Sequence, residues 1–225
     1  MSTLILSIET TTTNCSVALS RDGETIVLKE DYSGSYSHAE RLHVYIDDVL
    51  KEAQITPASL TAIAVSKGPG SYTGLRIGVS AAKGLCYALN IPLIAIATLD
   101  ALAHQVKTSE GVIVSMLDAR RLEVYSAIYN FKNEQIRATE AQILDQQAFK
   151  DYLEKDNVYF VGNGVEKTKG LITHPNAVFV ENKLPSAEQM GVLAYHKYKH
   201  NEVEDVAYFE PYYLKDFVAL KPKKK

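Results

Sequence analysis

Along this chain, short runs in which nearly every position is apolar alternate with longer stretches in which apolar residues recur at three- and four-residue intervals. The first pattern predicts buried strands and the second predicts helices with one buried face. TLILSIE (3–9) reads as a buried strand. NCSVALS (14–20) and ETIVLKEDY (24–32) flank the turn residues Arg21-Asp22-Gly23 and form a hairpin. Leu42, Ile46, Val49, Leu50 and Ala53 fall on one helical stripe over 38–54, and Ser37 and Glu40 stand at capping-box spacing ahead of it. TAIAVSK (61–67) is the next strand. Leu75, Val79, Ala82, Cys86 and Leu89 then mark a helix from Ser71 to about Asn90. A short strand, IPLIAI, and a helix from about Leu99 to Val106 complete the first half.

The second half restarts the same series. GVIVSMLDA (111–119) is a strand ending in an acid, as TLILSIE is. RLEVYSAIYNF (121–131) and the residues after Asn133 make a second hairpin, and helices near 146–154 and 186–199 flank the strand VYFVG (158–162). A shift of 109 places Glu9 on Asp118, Ala18 on Ala127 and Leu19 on Ile128. The order strand, acid, hairpin, helix, strand, met twice, predicts an α/β protein of two similar lobes, 1–106 and 107–225, with a cleft between them.

Between strand and helix lies SKGPGSYTGLRIG (66–78), whose glycines suggest a close approach of backbone to something. The spacing is wrong for the two familiar phosphate loops. G-x-x-x-x-G-K followed by Ser or Thr fails, because five residues beyond Gly68 stands Thr73 and beyond Gly70 stands Leu75. G-x-G-x-x-G fails because Gly74 comes one residue late. Gly74 and Gly78 lie four apart, with Ser71 before and Ala81 and Ala82 after, so they make a small-residue helix face. A helical glycine costs roughly 1 kcal/mol relative to alanine, so the pair implies a compensating contact. That contact is either internal packing or a partner subunit.

Composition narrows the function class. The 225 residues are 46% hydrophobic and 23% charged, with net charge −3, which gives no overall attraction to nucleic acid. Positive charge gathers only at Lys215 and in the terminal KPKKK (221–225). Cys15 and Cys86 sit in apolar segments and form no disulfide framework, as expected of a cytoplasmic protein. The apolar part of MSTLILSIE is too short for a signal peptide, and no segment has the length and apolarity of a membrane span. His196 and His200 share a helix face, but Lys197 stands where a zinc peptidase needs Glu. His104 stands alone, and His38 and His43 do not share a face. Ser71 and Ser80 lie in no G-x-S-x-G elbow. VGNG (161–164) is either a plain strand-to-helix turn or a nucleotide contact. Tyr45, Tyr72 and Tyr87, with Arg41 and Arg76, fall on or beside the outward sides of the two N-terminal helices, as in protein contact surfaces.

Taken together, SIETTTTNCSVALS, GPGSYTGLRIG, MLDARRLEVYSA, FVGNG and EPYYLK resemble the bacterial TsaB family over nearly the whole chain. Its members are partner subunits in making threonylcarbamoyladenosine, the modified adenosine beside the anticodon of certain tRNAs. GPGSYTGLRIG is shared with the related catalytic subunit, TsaD. The resemblance implies the actin-like, hexokinase-like (ASKHA) fold of two duplicated α/β lobes. In active members of that superfamily the first strand ends in Asp-x-Gly-Thr, whose acid helps hold magnesium and whose glycine admits phosphate. Here those positions read Glu9-Thr10-Thr11-Thr12, Thr11 crowds the approach, and Arg120 stands beside the second acid, Asp118. The implied site is therefore a vestigial nucleotide site of Glu9, Thr11, Thr12, Asp118, Gly162 and Gly164. It has no cofactor of its own, and ATP or ADP is held at most at the complex interface. The metal-binding H-x-E-x-H of the catalytic relative is missing from IATLDALAHQ (96–105), so no metal is expected. The resemblance therefore implies a non-catalytic subunit that dimerises with and activates TsaD, works beside the ATPase subunit TsaE, reaches tRNA through the complex and homodimerises when free. The expected interface is the helix faces bearing Arg41, Tyr45, Tyr72, Gly74, Arg76, Ile77, Gly78, Ser80 and Ala81. One alternative is an autonomous actin-fold ATP-dependent enzyme or a metallopeptidase-like protein. Another is a scaffold that also meets tRNA through KPKKK.

Overall fold

The structure, a computed structural model, describes residues 2–34 and 37–215. Its first sheet holds β1 (Leu4–Glu9), β2 (Cys15–Arg21), β3 (Glu24–Asp31), β4 (Ala62–Gly68) and β5 (Leu93–Ala97) in the order β3-β2-β1-β4-β5. Every residue of β1 is buried, because both faces of this sheet are covered. On one face lie α1 (His38–Glu52) and α2 (Tyr72–Leu89), whose apolar stripes meet Leu6, Ile8, Val17 and Val65. The expected Ser37–Glu40 capping box does not form. The Ser37 hydroxyl instead donates to Asp31 Oδ2 (2.7 Å) on β3, and its side chain makes no cap bond.

The second sheet repeats the first. After α3 (Thr98–Ala103) come β6 (Val112–Asp118), β7 (Glu123–Asn130), β8 (Gln135–Ile143), α4 (Lys150–Leu153), β9 (Val158–Val161), α5 (Val165–Lys169) and β10 (Ala177–Val180). The strand order β8-β7-β6-β9-β10 matches that of the first sheet place for place, with an antiparallel pairing to the hairpin and a parallel one beyond. This is the duplicated actin-like architecture. The register corrects one detail of the repeat. Ala18 pairs with Ser7 and Ala127 with Ser115, so the second hairpin obeys the 109 shift while its central strand falls one residue short. By register, Glu9 therefore corresponds to Leu117 and not to Asp118. In a strand, one residue is the difference between opposite faces. Accordingly Glu9 is buried and Asp118 is exposed.

The lobes also share layers. α3 packs Leu99, Leu102 and Ala103 against Ile113, Leu117 and Tyr129 of the second sheet. α6 (Met190–Lys199) returns to the first sheet, setting Met190 and Ala194 against Ile5, Ala64 and Ile94. The two sheets thus lie on either side of 106/107 in the chain, while α6, from the second half, covers the first sheet. The helix expected over 146–154 shortens to α4, and β10 adds an edge strand to the expected series. Residues beyond α6 also pack back on the first lobe. Glu204 N–H donates to the Leu93 carbonyl (2.8 Å), and Lys83 Nζ donates to the carbonyls of Ala207 and Phe209 (3.1 Å each). KPKKK (221–225) lies outside the described residues. No helix among the described residues is long and apolar enough to cross a membrane.

Candidate functional site

The glycine loop leads into α2 and lies against the loop that leaves β1. Ser71 N–H donates to the Thr11 carbonyl (2.7 Å), and a Cβ on Gly70 would come within 2.5 Å of Thr11 Cβ. One turn on, the Thr10 hydroxyl donates to the Gly74 carbonyl (2.8 Å). A Cβ on Gly74 would collide with the Thr10 carbonyl oxygen, and one on Gly78 with Thr10 Oγ1. The small face of α2 therefore packs internally. Gly74 and Gly78 are buried, and as members of an outward contact face they are corrected.

At the end of β1, Glu9 is fully buried. Its Oε1 accepts from Thr11 N–H (2.6 Å) and the Thr11 hydroxyl (2.5 Å), and its Oε2 accepts from the Ser66 hydroxyl. Burial raises its pKa above the ordinary carboxylate range, against the lowering effect of those hydrogen bonds. Both oxygens are engaged inside the first lobe. Glu9 does not line the cleft and presents no oxygen there to a cation, which corrects its place in the expected nucleotide site.

The cleft itself is a cavity of about 580 Å³ between the lobes. Thr11, Thr12 and Asp118 line it, so the structure does bring these three expected residues together. Asp118 Oδ1 accepts from Lys167 Nζ (2.7 Å) and from Arg120 N–H (2.6 Å), while Asp118 N–H donates to Asn163 Oδ1 (2.8 Å). Gly162 and Gly164 are not in the lining. Both pack on Met116, and the residue between them, Asn163, reaches the cleft instead. Among the described residues no cluster of three or more His, Cys, Asp or Glu side chains could hold a metal ion. The His196 and His200 rings are tilted by 35° with centroids 4.3 Å apart, and His104 Nδ1 rests on the Asp100 carbonyl (2.9 Å).

The remaining expected residues form the outer faces of α1 and α2. Arg41, Arg76 and Ser80 are exposed, and Tyr45, Tyr72, Ile77 and Ala81 are half-buried. Arg41 Nε pairs with Asp31 (3.0 Å), and its Nη1 donates to the Tyr45 hydroxyl (3.3 Å). The Arg76 guanidinium lies 4.7 Å over the Tyr72 ring centroid. Two further exposed positions lie on these faces outside the expected set. Val44 is 54% exposed, and Gly84 has nothing within 4 Å of where a Cβ would stand. Gly84 follows Ser80 and Arg76 at four-residue spacing, a signal that was present in the sequence. Tyr87, one turn further, is 86% exposed.

A family model described as "TsaD: tRNA N6-adenosine threonylcarbamoyltransferase" matches residues 32–223. The chain is 33% identical over 205 residues to the tRNA threonylcarbamoyladenosine biosynthesis protein TsaB of Bacillus subtilis, covering 88% of this chain and 84% of that one. It is 31% identical over 229 residues to the protein of the same name from Escherichia coli, covering 96% of each. Among solved structures, YeaZ from Pseudomonas aeruginosa superposes with a TM-score of 0.81 at 28% identity, over 94% of this chain and all of that one (100%).

Proposed function

The chain belongs to the TsaB family, and on that premise we propose that it is a non-catalytic subunit in the making of threonylcarbamoyladenosine on tRNA. It binds TsaD through the outer faces of α1 and α2 and orders that subunit's active site, so its contribution is a coupling between subunits and not donated catalytic groups. TsaE, tRNA, and ATP or ADP meet it within the complex. In the absence of TsaD the same face supports a homodimer, because a face descended from a common ancestor is close to self-complementary.

The observation that carries this reading is the placement of Glu9. The acid that an active actin-type site would aim at a nucleotide-bound cation is buried and hydrogen-bonded to Thr11 and Ser66. Asp118, across the cleft, already accepts from Lys167. Meanwhile α1 and α2 present Val44, Gly84 and Tyr87 outward beside the half-buried Ile77, a mixture of small, aliphatic and aromatic groups suited to close helix contact.

The test is threonylcarbamoyladenosine formation in a reconstituted mixture with and without this chain, beside ATP hydrolysis by the chain alone. Formation that depends on the chain, with no hydrolysis by the chain alone, is the expected result. Hydrolysis by the isolated chain that disappears in Glu9→Ala would overturn it in favour of an autonomous enzyme.

A further inference from the structure

The last described residues cross from one lobe to the other. Tyr212 N–H donates to the Lys67 carbonyl near the end of β4 (2.7 Å), and the Tyr212 carbonyl oxygen lies where a Cβ on Gly68 would come within 2.7 Å. The Tyr213 ring sits 5.1 Å from the Tyr72 ring at 39°, and Tyr72 in turn carries Arg76. Lys215 then pairs its ammonium with the Glu123 carboxylate at the start of β7, in the second lobe. Tyr212 to Lys215 make up one wall of the cleft.

We propose that residues 212–215 are a latch that holds the two lobes in one setting across the cleft. Through the Tyr213–Tyr72–Arg76 stack, the latch also ties that setting to the outward side of α2. The two anchors differ in kind. On the first lobe a backbone hydrogen bond and a ring contact hold the segment. On the second lobe the hold is an ion pair whose side chains are 42% and 23% exposed, the kind that water and salt weaken. Release therefore starts at Lys215. The apolar packing of α3 on the second sheet remains as the hinge. Any molecule entering the cleft meets the latch, so cleft occupancy and the setting of Arg76 are linked. The tie to partner binding rests on the function proposed above; the lobe setting does not.

Paired spin labels at Lys51→Cys on α1 and Ile136→Cys on β8 of the full chain read the lobe setting directly, since both native cysteines are buried. One narrow distance distribution is expected at low salt. Lys215→Gln should broaden it, shifting the closed-to-open ratio by up to about five-fold, the most an exposed ion pair supplies. The charge swap Lys215→Glu with Glu123→Lys should restore the narrow distribution, again only at low salt. An unchanged distribution in Lys215→Gln, or no restoration by the swap, overturns the latch. For the tie to α2, Tyr213→Ala should weaken TsaD binding by about three- to ten-fold, the worth of an aromatic contact, and should blunt the further effect of Arg76→Ala. Unchanged affinity in Tyr213→Ala overturns the tie. If the unmutated chain binds no TsaD at all, the proposed function fails, while the distance measurement still decides the latch.

Discussion

Thr10 seats Gly74: its hydroxyl donates to the Gly74 carbonyl, while its own carbonyl oxygen lies where a Gly74 side chain would begin. The glycines of α2 thus let the helix lie on the loop leaving β1. Gly74→Ala gains roughly 1 kcal/mol of helix propensity but must push backbone apart, at a cost of about 1–3 kcal/mol or more. A net destabilisation is expected. Gly84→Ala meets open space and should stabilise by up to about 1 kcal/mol. Urea midpoints of the two variants check the contrast. Equal shifts in the stabilising direction would refute the packing argument.

Glu9 gives the fold a pH dependence of definite sign. Its pKa is raised by burial, so the stability contributed by its neutral form is complete below the unfolded value of about 4.3. That contribution is lost as pH rises through the higher folded value. Ser66 allows both forms, because its hydroxyl can accept from the acid and turn its hydrogen toward Met190 Sδ, 3.7 Å away. Glu9→Gln keeps the acceptor for Thr11 and offers a donor to Ser66. The variant should gain stability relative to the unmutated chain as pH rises above about 4.3, read from urea midpoints at a series of pH values. Magnesium should not raise the midpoint of either protein. A magnesium-dependent rise lost in Glu9→Gln would mean that the acid does reach a cation.

The start of α1 depends on Asp31, whose carboxylate accepts from the Ser37 hydroxyl and Ser33 N–H and pairs with Arg41. These hydrogen bonds, the one from Ser37 foremost, lower its pKa. Its contribution is therefore present above the unfolded value of about 3.9 and is lost as pH falls through the folded value below it. Asp31→Asn and Ser37→Ala should both raise amide exchange in the first turn of α1 at neutral pH. Exchange unchanged in both variants would show that the helix start is held by other contacts.

Much of the architecture was legible because β1, β2, β4 and β6 are nearly continuous apolar runs, and α1 and α2 carry clear helical stripes. What failed was decided at a distance. Ser37 and Glu40 have the spacing of a cap, but Asp31, on another strand, takes the hydroxyl. Gly74 and Gly78 advertise a close contact without saying with what, and the answer, Thr10, lies 64 and 68 residues earlier in the chain. Glu9 and Asp118 end similar strands, yet a one-residue difference in register turns one inward and the other outward. AVFV (177–180) is only four residues long, set between Pro175-Asn176 and Asn182, and becomes β10 by pairing in parallel with β9. Nothing in HKYKH says which sheet α6 will cover. The apolar partners of Met190 lie in the other half of the chain.

The outer face of α2 is where partner binding should be most sensitive. Tyr87 is 86% exposed and buries little in the free chain, and Ser80 is exposed between it and Arg76. If α1 and α2 dock on TsaD, Tyr87 becomes a buried aromatic anchor, and its removal should cost about 2 kcal/mol, a thirty-fold loss of affinity. Ser80→Glu should do at least as much, because it places an unpaired charge in a close helix contact. Neither change touches the core, so urea midpoints should stay within about 0.5 kcal/mol of the unmutated chain. Ile143→Ala, on the exposed edge strand β8 of the second lobe and 72% exposed, serves as the comparison and should leave affinity unchanged. Titration calorimetry of each variant against TsaD decides the matter. Loss of affinity confined to Ile143→Ala would place the docking surface on the second lobe and sink the α1–α2 assignment.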